Sequence, residues 1–167
     1  MRKGDTASHG WVHKALVAAR LKNGKSAYEL LHVLMSGDIF FSSLMTDHNT
    51  YRSVGVYCTD TSIGIVGIVN EMLVYSNTGI ISLLPALPSE WMQGSMDGLM
   101  ARTMARVTKP EWDLGAGKIT ASILSLKAQK IKVVCMSGRA RIEKANPTAD
   151  GTTEFAENEE IAFTFSV

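Results

Sequence analysis

The sequence predicts an α+β protein in which a short α-helical segment is followed by an antiparallel β-sandwich. Three observations predict it. Apolar residues recur at helical spacing up to about Leu83, and they alternate at period two after about Ser95. Gly, Pro and Asn signals also cut the second stretch into short runs, as turns between strands do. The change of period divides the chain into a helical segment over 1–79, a linker or crossing over 80–94, and a C-terminal β-sandwich over 95–167.

The first helix is expected from about Trp11 to Lys22, with Val12, Leu16 and Ala19 on one face and Trp11, Ala15 and Ala18 beside it. Gly24 reads as its stop. Ser26 then opens a second helix, with Glu29 completing a capping box and Gly37 closing it. So short a link makes the two helices pack antiparallel. Residues 38–61 hold no single period and mix Phe40, Phe41, Tyr51 and Tyr57 with charged side chains, the mark of a long loop. A third helix is predicted from about Ser62 to Tyr75, apolar nearly all round, with Asn77-Thr78-Gly79 as its end. Pro85 and Pro88 forbid a helix in the next stretch, which reads as a short strand and an extended crossing pinned by Trp91.

The second half alternates. Leu99, Ala101, Thr103, Ala105 and Val107 take one face, and runs through Ile119, Ile131, Ile142 and Phe163 repeat the pattern. The turn signals are Leu114-Gly115-Ala116-Gly117, Ser137-Gly138 and Asn146-Pro147 through Asp150-Gly151. Five or six short strands at such spacing make a sandwich.

Composition narrows the function classes. Of 167 residues, 46% are hydrophobic and 20% charged, a globular balance. The formal charge of +1 offers no electrostatic case for nucleic acid or an anionic membrane as partner. No run of about 18 apolar residues crosses a bilayer. Met1-Arg2-Lys3-Gly4-Asp5 leads into no apolar core, so no secretory signal is visible and the chain as written is expected in the cytoplasm.

Chemical motifs are sparse. No phosphate-binding loop, dinucleotide fingerprint, zinc-protease helix or nucleophile elbow occurs, and no cofactor is implied. Cys58 and Cys135 lack metal or dithiol spacing, and His9, His13, His32 and His48 form no ligand set, so no metal site is expected. Asp60 stands just before the apolar helix. It fits an N-cap, and the same place favours its ionised form, which suits a base or a group that orients one. Glu71 inside that helix calls for a partner such as Arg20, since unpaired buried charge is costly.

The middle of the chain resembles a known family. Asp60-x-x-x-Gly64, Ile68-Val69-Asn70-Glu71-Met72-Leu73 and Leu83-Leu84-Pro85-Ala86-Leu87-Pro88-Ser89-Glu90-Trp91 are similar to the C-terminal part of glycoside hydrolase family 95, the α-L-fucosidases and related enzymes. Gly94-Ser95-x-x-Gly98-Leu99-x-Ala101-Arg102, Ala19-Arg20-Leu21, Ala27-Tyr28-Glu29-Leu30-Leu31 and His9-Gly10-Trp11 extend the resemblance over roughly 9–137. It implies that the helices are a remnant of an α/α toroid. It implies inverting hydrolysis, in which a Glu protonates the leaving group and an Asp-supported Asn activates water. By motif position Asp60 matches the supporting Asp, and His9 and Trp11 become candidate substrate contacts.

The sequence departs from the family pattern where its Gly, Asn and Phe become Thr61, Ser62 and Ile63. The resemblance also places the acid Glu and the water-activating Asn upstream of this stretch. The expected function is thus a C-terminal fragment of an α-L-fucosidase-like hydrolase, inactive alone. The alternative is a carbohydrate-binding or structural sandwich module without catalysis. The implied partners are a fucoside- or galactoside-type glycan and, through the apolar third helix, a second copy of the chain.

Overall fold

The computed structural model describes residues 7–36, 57–145 and 147–167, in which three helices precede ten strands. Most of the loop expected over 38–61, Phe40 and Phe41 included, lies outside the described residues. The chain divides into two compact units, residues 1–72 and 73–167.

In the first unit, α1 (Ser8–Arg20) buries Trp11, Val12, Ala15, Ala18 and Ala19, and α2 (Gly24–Ser36) buries Ala27, Leu31 and Leu34. Asn23 caps α2: its Oδ1 accepts the Ser26 backbone N–H at 3.1 Å. The helix therefore opens two residues before the expected Ser26. Gly24 is its first residue rather than a stop, and Lys22 takes the left-handed position with φ 61°. α3 (Thr59–Leu73) runs parallel to α1. The contacts advance together along both helices: Ser8 with Cys58, Val12 with Gly64, and Arg20 with Glu71. A Cβ at Gly64 would lie 2.5 Å from Val12 Cγ1, so only glycine lets the two helices approach this closely.

In the second unit, β1 (Val74–Asn77) follows α3 directly and pairs antiparallel with β2 (Ile80–Leu83). The helix thus ends two residues earlier than its apolar run suggests. Val74 and Tyr75 suit the pleated strand, and Asn77-Thr78-Gly79, with Gly79 at φ 70°, turns a hairpin instead of ending a helix.

The remaining strands are β3 (Gln93–Ser95), β4 (Leu99–Ala101), β5 (Ala105–Asp113), β6 (Lys118–Ser125), β7 (Gln129–Cys135), β8 (Arg141–Lys144), β9 (Thr153–Phe155) and β10 (Glu160–Ser166). They form a sheet in the order β1-β2-β7-β9 and a larger one in the order β3-β5-β6-β10-β8, with β4 also paired to β5. Pairing is antiparallel except between β2 and β7. Ile81, Leu83, Ile119, Ile123, Ile131, Phe163 and Phe165 are fully buried and form the core of this α+β fold's sandwich-like part.

A polar network ties the two sheets. The Gly79 N–H donates to Thr103 Oγ1, which donates to Gln129 Oε1, while Gln129 Nε2 donates to the Thr103 carbonyl and to Ser125 Oγ. Thr103 and Ser125 are buried, so each group needs those partners.

Two local features escape the alternation pattern. The run from Leu99 to Val107 is a hairpin, turned at Arg102-Thr103-Met104 with Met104 at φ 55°. Burial alternates straight through that turn, so period two alone hides it. Farther along β5, the register against β6 shifts between Thr108 and Glu111, where Lys109 takes φ 47°. This is a β-bulge, and it exchanges the faces of the residues after it.

Candidate functional site

The parallel course of α1 and α3 brings both N-termini to one end of the helical unit. Each contributes roughly half a positive elementary charge from its unpaired N–H groups. Asp60 lies there, inside the first turn of α3 and exposed to solvent. It stands one residue past the helix start rather than in the expected capping position. Cys58 holds the place before the helix, and its carbonyl accepts the backbone N–H groups of Thr61 (3.2 Å) and Ser62 (3.4 Å).

The surrounding side chains are locked. Thr61 is fully buried and its Oγ1 donates to Cys58 Sγ at 3.2 Å. Ser62 Oγ donates to the Thr59 carbonyl at 3.1 Å and lies 3.4 Å from Tyr57 Oη. Burial pushes the Cys58 thiol up. The nearby Ser8 hydroxyl and the hydrogen bonds from the Thr61 hydroxyl and backbone outweigh that push and the nearby Asp60 charge, and the thiol ends below its ordinary value. Thr61 and Ser62, where the family pattern has Gly and Asn, thus spend their polar groups on the helix start itself.

The other sequence candidates separate. His9, half-buried in the first turn of α1, faces His13 edge-on with ring centroids 6.2 Å apart, at the same end as Asp60. Trp11 is buried, only 8% exposed. Glu71 is buried and its Oε1 meets Arg20 Nη2 at 3.4 Å. Glu71 and Asp60 are eleven residues apart on one helix, roughly 16 Å along its axis. Paired glycosidase carboxylates stand about 5–9.5 Å apart, so Glu71 is no partner for Asp60 in that chemistry. Among the described residues, no group of three or more His, Cys, Asp and Glu could hold a metal ion, and no helix is long and apolar enough to cross a membrane.

Sequence reasoning missed the Ser8–Cys58–Thr61 contact, because its members are separated by an entire helical hairpin. It also missed the bulge, although Pro110 inside an alternating run is its ordinary signal.

The second unit of the chain matches a known family. The family model described as the C-terminal domain of glycoside hydrolase family 95 matches residues 75–167. The chain is 32% identical over 115 residues to the Alpha-L-fucosidase 2 of Arabidopsis thaliana, a match that covers 61% of this chain and 13% of that protein. It therefore spans a small part of the length of that relative. With the L-L-P-A-L-P-x-x-W block and the sandwich in the same chain, the assignment is plain: this protein belongs to glycoside hydrolase family 95, whose C-terminal domain it carries.

Proposed function

We propose that the chain is the C-terminal part of an α-L-fucosidase-like glycoside hydrolase and does not hydrolyse glycosides alone. The observation that carries this is the spacing of the two carboxylates on α3. The place of Asp60 at the helix N-terminus suits a carboxylate that orients a base, yet no carboxylate on its own helix stands at the spacing a proton donor requires. The glycan is of fucoside or galactoside type, bound where α1 and α3 begin, with His9 at that end. In this reading the helices are the last members of an α/α toroid whose upstream helices supply the acid and the water-activating amide.

The purified chain is assayed with activated α-L-fucosides and galactosides. Release at the buffer rate is expected, because general acid–base groups contribute roughly 10²–10⁴-fold. Turnover that survives repurification and vanishes in Asp60→Asn overturns the reading.

The exposed apolar side chains of the helical unit support a second proposal, self-association of this chain through that unit. Ile63 is 72% and Val66 61% exposed on one face of α3.

A further inference from the structure

The outer face of the larger sheet carries a groove of about 580 Å³, within the size range of small-ligand clefts. Its floor is ordered by strand register. Ser95, Glu111 and Thr120 form one cross-strand row, and Gln93, Asp113 and Lys118 form the next. The bulge at Lys109 and Pro110 creates this surface. Before it, Ala105 and Val107 face the core and Arg106 faces out; after it, Pro110 and Trp112 face in and Glu111 faces out, with Asp113 beside it. Were β5 regular through this point, Lys109 and Glu111 would take the core positions of Pro110 and Trp112, and Asp113 would face the core beyond them. Gly94 lets β3 lie directly on the Trp112 ring, since a Cβ there would stand 2.2 Å from the indole.

The groove is partly preorganised. Asp113 Oδ1 accepts the Ala116 N–H at 2.9 Å, and its Oδ2 accepts Gln93 Nε2 at 3.2 Å. Ser95, Glu111, Lys118 and Thr120 make no side-chain hydrogen bond to another described residue and keep their capacity for a ligand. The groove mixes acceptors with donors, and Glu111 and Asp113 against Lys118 leave it one negative charge. An anion would meet two carboxylates and a cation would meet Lys118. A neutral polyhydroxyl compound, in which every hydroxyl both donates and accepts, satisfies all of them together.

We propose that this groove binds a neutral oligosaccharide, making the sandwich a glycan-contact module; the choice of a glycan over other polyols rests on the glycosidase reading above. The bulge supports it, because bulges re-aim side chains at sites.

The test is an amide NMR titration of the full chain with lactose, with fucosyllactose and, separately, with calcium chloride. Saturable shifts with a saccharide are expected at Ser95, Glu111, Asp113, Lys118 and Thr120. Glu111→Ala, an exposed change, should keep the spectrum's dispersion and weaken binding by about tenfold or more. Lys118→Ala provides the same reading should Glu111→Ala disturb the fold. Shifts that are absent at tens of millimolar saccharide, that fall elsewhere, that are unchanged in both variants, or that follow calcium instead overturn the proposal. Binding needs no turnover, so a failed titration leaves the reading of the hydrolase fragment intact, and unexpected hydrolysis leaves this one intact.

Discussion

Arg20 Nη2 lies 3.4 Å from Glu71 Oε1, joining the last turn of α1 to the last turn of α3. The Glu71 side chain is 10% exposed and that of Arg20 58%. The carboxylate is thus the member that loses water, while the guanidinium keeps most of its own. Arg20 also sits where a cation opposes the negative end of the α1 dipole.

A double-mutant cycle measures this relationship. Arg20→Met should cost about 1 kcal/mol in urea denaturation, a modest figure because half of the pair stays in solvent. The coupling between Arg20→Met and Glu71→Gln should be about 0.5–1 kcal/mol. Strict additivity would show that the contact carries no energy.

Gly64 and Gly67 sit one helical turn apart on α3 and should respond to alanine with opposite signs. A Cβ at Gly64 would press within 2.5 Å of Val12 Cγ1, whereas a Cβ at Gly67 meets nothing within 4 Å. Gly64→Ala should destabilise by about 1–3 kcal/mol through overpacking. Gly67→Ala should stabilise by up to about 1 kcal/mol through helix propensity. Thermal melts of the two variants decide it, and equal shifts would mean that α1 and α3 do not cross at Gly64.

These residues show where the sequence was readable. Helix, strand and order came through because apolar spacing is a property of each segment alone, and the Arg20–Glu71 pair followed from the cost of a buried charge. Element ends did not. Asn23 rather than Ser26 caps α2, since two good caps stand three residues apart and only the link geometry chooses between them. The Arg102-Thr103-Met104 turn contains no Gly, Pro or Asn to announce it. For the site, the position of Asp60 near a helix start was legible, but the groove was not. It depends on the bulge near Pro110, which reverses the faces of Glu111 and Asp113 without disturbing their spacing in sequence.

Asp60 should act on stability as a first-turn charge. Because it lies inside the helix, Asp60→Ala should cost about 0.5 kcal/mol, below the ~1 kcal/mol of a lost N-cap. The cost should shrink in molar salt, which screens an exposed charge. A salt-independent loss of several times that size would indicate a buried role for the carboxylate.

Cys58 and Cys135 should differ in reactivity and in their pH linkage. Burial pushes the Cys135 thiol up to about 12, while the net balance at Cys58 is downward. In mild alkylation of the folded protein, followed by peptide mass spectrometry, Cys58 should label before Cys135. The signs of linkage are opposite. The lowered thiol of Cys58 adds stability above its unfolded value, and that contribution fades as pH falls through the folded one. The raised thiol of Cys135 keeps its contribution below the unfolded value and loses it as pH climbs toward about 12. Relative to Cys58→Ser, the native chain should therefore gain stability as pH rises into the ordinary thiol range. Relative to Cys135→Ala, it should lose stability above that range. Faster labelling of Cys135 would reverse the assignment.

The open apolar surface of the helical unit leads to the last expectation. Ile63 and Val66 stand three residues apart on α3, and Val17 of α1 stands four residues before its C-cap Leu21, so each pair lies on one side of its helix. Val17 is 57% and Leu21 74% exposed, and Met35 of α2 is 61% exposed. A few such side chains are ordinary on a protein surface, but two helices each presenting an apolar pair lose more by staying in water than a scattered set does. A two-fold arrangement covers the same face on both copies at once. Light scattering at tens of micromolar should give a mass above the 18.1 kDa of one chain. Ile63→Glu with Val66→Glu should return it to the monomer with helical content unchanged, because both positions are exposed within the chain. A single 18.1 kDa species at every concentration would show that these pairs are tolerated in solvent.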